Sequence, residues 1–287
     1  MIKSLKLNGA MNALTIDVED WFQVANLRNV INYEDWDSCE SRILPNVSRL
    51  LLLLSRMNVK ATFFILGWIA EKKPEIVELI HKCGHEIATH GYSHKSIYEL
   101  SQEDFKQDLG ASIEIIEKIT GQKVEGYRAP NYSINPDTTW AWEVLAEFGI
   151  KYDSSIYPVK HNRYGFVSAP RFPFIINLKE HGKLIEFPLS TVRFLRNNIP
   201  VAGGAYLRLY PYWFIRAAIK KLNANKKPAI IYIHPWELDA YQPRLKIGFM
   251  SKLKHYGNLL MTEQKLRKLL SDFKFAPIRK VLGLEEE

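Results

Sequence analysis

Gly84-His85-Glu86-Ile87-Ala88-Thr89-His90-Gly91-Tyr92-Ser93-His94 begins as a short alternating strand and ends in two histidines four positions apart. Neutral imidazole is the commonest protein metal ligand near neutral pH. A pair at this spacing reaches one ion from a helix face, or from a strand end that turns into a helix. A bare His-x-x-x-His is more often two unrelated surface histidines. Here a second cluster, Asp17-Val18-Glu19-Asp20, ends another apolar strand far upstream. Two strands ending in ligand-type residues are what a metal site in an α/β protein needs.

Working outward, strands are expected over 13–18, 61–68, 85–90, 124–128, 150–153, 184–189 and 229–234. Helices are expected over 45–57, with Val47, Leu50, Leu51 and Leu54 on one stripe, and over 74–83, with Pro74 in the first turn and Gly84 closing it. Ser101-Gln102-Glu103-Asp104 has the capping-box pattern and opens a helix that ends at Gly121. Asn135-Pro136 reads as N-cap and first position of a helix to 148. A helix follows over 210–223, and the tail over 248–282 reads as mostly helical and basic. The proline-rich stretch 157–174 reads as a long loop. Strand and helix alternate, which argues for a parallel α/β architecture. The reading is a distorted (β/α) barrel of about seven strands over 12–240. A C-terminal helical extension over 241–287 packs on it.

The 287 residues suffice for one large domain. Hydrophobic residues make up 47% and charged residues 24%, an ordinary globular balance. No apolar run approaches the roughly 20 residues of a membrane span. Residues 1–12 lack an apolar core and a small-residue cleavage site, so no signal peptide is expected and a cytoplasmic location is the simplest reading. With only Cys39 and Cys83, a disulfide framework is not expected. The net charge is +8 and the pI near 9.2. The basic residues are dispersed and no nucleic-acid motif accompanies them, so a solvated basic face is expected. The basic, partly amphipathic tail permits peripheral contact with the inner membrane surface.

Position carries the functional information. Asp17 and Glu19 end the first strand, and His90 and His94 follow the third. Arg128 ends the fourth, followed by Ala129-Pro130-Asn131-Tyr132. Asp153 ends the fifth, and His234-Pro235-Trp236 the last. In parallel α/β barrels the active site lies at the C-terminal ends of the strands. Each residue alone has a plain structural use, as helix cap, ion pair or core histidine. Their shared position points to one site.

These segments resemble the motifs of the polysaccharide deacetylases of carbohydrate esterase family 4, the NodB-homology proteins. That family has an acidic first motif, His-x-x-x-His, Arg-x-Pro-x-aromatic, an Asp-containing fourth motif and a His-containing last motif. The resemblance covers about residues 12–240. The Asp-Val-Glu-Asp opening and Gly203-Gly204-Ala205-Tyr206-Leu207-Arg208 are similar to one subgroup, the deacetylases of exosortase-linked exopolysaccharide synthesis, which carry a C-terminal extension. One departure is plain: the family's two adjacent aspartates are here Asp17 and Val18. Positions two apart share a strand face, so Glu19 stands beside Asp17, with Asp20 as the other acidic candidate.

The resemblance implies hydrolysis of N-acetyl groups on amino sugars of a polysaccharide or lipid-linked glycan. It implies a divalent metal, zinc above others, on Glu19, His90 and His94. Asp17 would be the base and His234 the acid. Arg128 would fix Asp17 through a bidentate pair, and Asp153 would orient His234. A backbone N–H near Tyr132 would complete an oxyanion site, with Tyr132, Trp236 and Pro130 against the substrate. The alternatives are a hydrolase of small cyclic amides and a non-catalytic saccharide-binding barrel. The sugar, the polymer and the oligomeric state are not legible.

Overall fold

A computed structural model describes residues 2–5, 7, 11–161 and 164–284. The N-terminal stretch read for a leader includes residues 1, 6 and 8–10, the loop over 157–174 includes 162 and 163, and the extension includes 285–287. All of these lie outside the described residues.

The strands are β1 (Ile2–Ser4), β2 (Asn12–Val18), β3 (Thr62–Ile65), β4 (Glu86–Thr89), β5 (Gly126–Tyr127), β6 (Tyr152–Asp153), β7 (Phe174–Asn177), β8 (Lys183–Glu186), β9 (Thr191–Phe194), β10 (Asn197–Pro200), β11 (Ile230–Ile233) and β12 (Phe275–Ala276). The longer helices are α1 (Ile43–Arg56), α2 (Gly67–Lys72), α3 (Pro74–Lys82), α4 (Gln102–Thr120), α5 (Ala141–Glu147), α6 (Gly204–Leu209), α7 (Tyr212–Ala224), α8 (Phe249–Tyr256) and α9 (Thr262–Asp272).

The main sheet runs β1-β7-β8-β6-β5-β4-β3-β2-β11, with β12 added beside β2. From β8 to β11 every pair is parallel, while β7 runs antiparallel to β8 and to β1. The sheet is therefore open and mixed. No ladder joins its two ends among the described residues, so the barrel closure expected from sequence is not seen.

β2 is the hub, buried along its whole length because helices or inner side chains cover both its faces. Its alternation sorts the two faces. Leu14, Ile16 and Val18 pack into the larger core with α1 residues Val47, Leu50 and Leu54. Ala13 points to the opposite side, with Phe64 of β3, Ala88 of β4 and Ile230 of β11. Thr15 and Asp17 follow Ala13 on that inner side, since successive strand residues alternate.

Several boundaries differ from the sequence reading. The strand expected over 61–68 stops at Ile65, and Gly67 already opens α2. The helix expected from 135 begins only at Ala141. Asn135 Oδ1 accepts the Asp137 N–H at 2.9 Å, which offers the backbone a turn in place of a helix. β7, β9 and β10 were not anticipated. β9 and β10 pair antiparallel with each other and bear exposed residues such as Arg193 and Asn197, while β7 does hold an apolar run, Phe174-Ile175-Ile176, which begins where the proline-rich stretch ends. Ser101 caps α4, accepting the Asp104 N–H at 3.1 Å, and Gly121 ends it in the left-handed region.

Candidate active site

Asp17, Glu19, His90, His94, Arg128, Tyr132 and His234 meet at the C-terminal ends of β2, β4, β5 and β11. Asp17 is buried against Arg128, whose Nη1 donates to Asp17 Oδ1 at 2.6 Å. The same Nη1 donates to Thr15 Oγ1 at 2.8 Å. Nε and Nη2 go to the Ser154 carbonyl and hydroxyl, at 3.1 and 3.0 Å. The pair with Asp17 is thus single, and the bidentate clamp expected from sequence is not formed. Arg128 also lies 4.1 Å from the Phe64 ring, where the ring face favours a cation. The Tyr132 hydroxyl donates to Asp17 Oδ2 at 3.1 Å. Asn131 and Tyr132 both have positive φ, 58° and 54°, a strained backbone that turns the tyrosine inward. The Tyr132 N–H donates to the Ala129 carbonyl at 3.0 Å, so it is not free for an oxyanion.

Glu19 lies just past the end of β2, its N–H donating to the Asp17 carbonyl at 3.0 Å. Its Oε1 is 3.2 Å from His90 Nε2 and 3.1 Å from His94 Nε2. His90 Nδ1 stands 2.7 Å from the Arg128 carbonyl. A carbonyl only accepts, so Nδ1 carries the hydrogen and the Nε2 lone pair faces Glu19. Ligand atoms of Glu19, His90 and His94 all lie within 4.8 Å of one another, and all three residues are buried. One carboxylate and two imidazoles, that of His90 with its tautomer fixed by the Arg128 carbonyl, fit a divalent cation of the zinc type. Burial opposes ionisation of Glu19. The nearby His94, His234 and His90 outweigh it and hold the carboxyl well below its usual range. Asp20 is turned away. It accepts the N–H groups of Trp21, Arg42 and Ile43, at 2.8, 2.8 and 3.2 Å, and so ties the strand end to the start of α1.

His234 follows β11 and its side chain, 17% exposed, is the most open of this otherwise buried group. Its Nε2 is 4.0 Å from Asp17 Oδ2 and 3.8 Å from Glu19 Oε1. Its Nδ1 lies 2.8 Å from Glu237 Oε1. Burial pushes the imidazole pKa down, but Glu19, Glu237 and Asp17 outweigh it and raise it to about 9. Glu237 in turn accepts from Arg208 Nε at 2.6 Å. Burial raises its pKa, and Arg208 and His234 overcome that to hold it at about 2. Gly204 makes room for this pair: a Cβ there would fall 1.9 Å from Glu237 Oε1.

The partner of His234 is therefore Glu237, and not Asp153 as the resemblance implied. Asp153 accepts from Trp142 Nε1 at 3.1 Å and from the Ser155 hydroxyl. It lies opposite Glu186 across the β6–β8 ladder. Burial raises Asp153 to about 6, and burial with the neighbouring Asp153 raises Glu186 as well, since two adjacent buried carboxyls do not both ionise readily.

Trp236 is buried, its ring stacked at 5.2 Å on His234 and at 4.4 Å on His255. Pro130 is buried in the turn Pro130–Tyr132. His255 is buried, with Nε2 2.9 Å from Gln242 Oε1. Burial, and next the Arg208 charge, lower it to about 3, and burial lowers His85 to about 4. An unfolded histidine titrates near about 6.5. Between these values the unfolded chain binds more protons than the native one. The stability held by the neutral rings is full above about pH 6.5 and falls as the pH drops toward their native values. The urea midpoint is expected to fall between about pH 7 and about pH 5, and less steeply in His255→Gln. Equal slopes for the two proteins would count against this.

Fold and site together define an α/β protein with a buried carboxylate–imidazole cluster, a candidate cation site, at its C-terminal strand ends. Residues 32–152 match the family model described as polysaccharide deacetylase, and residues 154–283 match a domain of unknown function, DUF3473. The chain is similar to a peptidoglycan deacetylase of Helicobacter pylori, 28% identical over 182 residues, which cover 63% of this chain and 58% of that protein. It is also similar to a peptidoglycan-N-acetylglucosamine deacetylase of Bacillus cereus, 35% identical over 96 residues, covering 33% of this chain and 35% of that one. Both matches span less than two thirds of the relative's length. A solved structure of a candidate polysaccharide deacetylase from Mycobacterium smegmatis shares the fold, with a TM-score of 0.66 and 22% identity over 98% of this chain and 92% of that one. The family-model match covers less than half of the chain, and with the relatives it supports a likeness to the polysaccharide deacetylases, the NodB-like proteins of carbohydrate esterase family 4. The relatives are deacetylases by name, hydrolases of carbon–nitrogen bonds.

Proposed function

We propose that the protein hydrolyses the acetamide bond of N-acetylated amino sugars in a glycan. The observation that carries this reading is the meeting of two sets on one rim. A cation site of Glu19, His90 and His94 adjoins an acid–base pair of Asp17 and His234, each member of which is held by its own buried partner. We assign the three residues of the first set as ligands of a divalent ion, zinc above others. When bound, it supplies Lewis-acid chemistry for the acetamide carbonyl and acidifies a water. Asp17, fixed by Arg128 and Tyr132, takes the proton of the attacking water. His234 Nε2 gives a proton to the departing nitrogen as the carbon–nitrogen bond breaks, so one water yields acetate and a free amine. Its Nδ1 keeps its hydrogen throughout and donates it to the Glu237 carboxylate. Tyr132, Trp236 and Pro130 are read as the wall against the acetyl group and sugar ring.

The substrate is read as a peptidoglycan- or chitin-like glycan, or the growing polymer of exopolysaccharide synthesis. Residues 241–287 are read as an extension packed on a domain over 12–240. The pairing of β12 with β2 and the hold of Arg208 on the carbonyls of Lys254 and Gly257 support that packing. The test is release of acetate from N-acetylglucosamine oligosaccharides, run beside ring opening of a small cyclic amide. Acetate release without ring opening is expected. Ring opening alone would move the assignment to the cyclic amidases, and neither activity with a metal-loaded protein would leave a saccharide-binding role.

A further inference from the structure

Between Asp239 and Glu263 the chain carries Arg244, Lys246, Lys252 and Lys254 and no acidic residue. All four cations are exposed. Among them stand large apolar side chains held out in water: Tyr241 is 85% exposed, Phe249 78% and Leu260 75%. Met250 and Leu253 are exposed as well. Phe249 and Leu253 are four apart in α8 and share a face.

This projection is anchored. Gln242 Nε2 donates to the carbonyls of Trp236 and Asp239, at 3.0 and 2.9 Å. The Tyr256 hydroxyl accepts the Leu245 N–H at 3.0 Å, and the Arg244 guanidinium lies 4.4 Å over the Tyr256 ring. Apolar side chains so displayed on a fixed surface mark a contact site. Four cations without intervening carboxylates call for an anionic partner, and Phe249, Met250, Leu253 and Leu260 call for hydrocarbon. An anionic bilayer surface offers both. A glycan fits less well. Tyr241 and Phe249 offer a sugar ring a stacking face, but Met250, Leu253 and Leu260 do not, and a deacetylated polymer is itself cationic and would be repelled.

We propose that residues 241–261 form a docking surface for an anionic lipid bilayer, with Phe249 and Met250 entering the acyl boundary and the basic residues meeting the headgroups. Docking there brings the candidate site to the bilayer. The His255 ring behind this surface stacks on Trp236, which stacks on His234. α8 also packs against the turn Ala25–Leu27, and the next residue, Arg28, donates to the His94 carbonyl. If the deacetylase reading holds, a lipid-linked glycan is the substrate so presented.

The test is sedimentation of the full chain with phosphatidylcholine vesicles and with mixed phosphatidylcholine–phosphatidylglycerol vesicles, across a salt series. It reads binding alone, so its failure would leave the deacetylase reading standing. The mixed vesicles are expected to retain the protein and the neutral ones to release it, with retention falling as salt rises. Each basic residue near such a surface contributes about fivefold in partition. Lys252→Glu with Lys254→Glu is therefore expected to lower partition by at least about tenfold. Phe249→Ser with Met250→Ser should also lower it, both variants keeping the wild-type circular dichroism. Equal retention of wild type and variants, or none by the wild type, overturns the proposal. So does a wild-type oligomer that Phe249→Ser with Met250→Ser converts to monomer, which gives the face to a second copy. Retention on an immobilised neutral glycan that the same variant abolishes would give the face to saccharide.

Discussion

Asp17→Asn is expected to lower kcat for acetate release by about 10²- to 10⁴-fold, the contribution of a well-placed general base. The variant keeps the size of the side chain and an oxygen for Arg128 Nη1 and the Tyr132 hydroxyl, which now meet Asp17 at 2.6 and 3.1 Å. It removes the carboxylate that Arg128 and Tyr132 hold beside the proposed ligand Glu19. Arg128 is fully buried, and its other contacts are to neutral oxygens of Thr15 and Ser154. Asp17→Ala would strip it of a counter-charge and confuse lost chemistry with lost stability. The asparagine variant is the cleaner measurement, with near-ultraviolet circular dichroism as the check on folding. A kcat within tenfold of wild type in a folded Asp17→Asn protein would remove this residue from the base role.

Glu237→Ala is expected to destabilise the fold by about 3–5 kcal/mol, the cost of leaving a buried charge unpaired. Arg208 is fully buried, and Nε is its bond to Glu237. Its two remaining nitrogens reach backbone carbonyls of Gly257 and Lys254, which do not neutralise it. Urea unfolding measures the loss. Substituting both partners, Glu237→Gln with Arg208→Met, is expected to recover a large part of it, because no buried charge then remains. The activities should separate differently. In Glu237→Gln, His234 loses one of the carboxylates that raise its pKa, so the acidic group in the pH profile should move down. An additive double variant, or a Glu237→Ala protein as stable as wild type, would contradict the pairing.

The two halves of the site differed in how far the sequence revealed them. Asp17, His90 and His94 stand at the ends of strands with dense apolar or alternating patterns, and period two puts Glu19 near Asp17 before any coordinates are known. β2 and β4 lie within a residue or so of their expected bounds. Glu237 is absent from the sequence reading although it stands three residues after His234, because spacing alone does not announce which side chain folds back. The signal was the His-x-x-Glu spacing, which the structure closes as a capping box at Pro235–Leu238. Arg208 stands in the segment 203–208 that carries the subgroup resemblance, but nothing local says that a residue of this six-residue helix crosses to Glu237. Asp153 misled because its strand, β6, is only two residues long. A strand-end position fixes which end of the sheet a residue occupies, but not which face it takes. The same gap explains the barrel: alternation of strand and helix predicts parallel neighbours, while closure depends on the ends of the strand order, and at one of them β1 and β7 pair antiparallel.

The most direct measurement is calorimetric titration of the chelator-stripped protein with zinc, followed by acetate release from N-acetylglucosamine oligosaccharides on the same sample. One ion per chain should bind, with activity restored as it does, and His94→Ala should lose both together while remaining folded. Full acetate release by the stripped protein, or an unchanged zinc isotherm in His94→Ala, would contradict a cation shared by Glu19, His90 and His94.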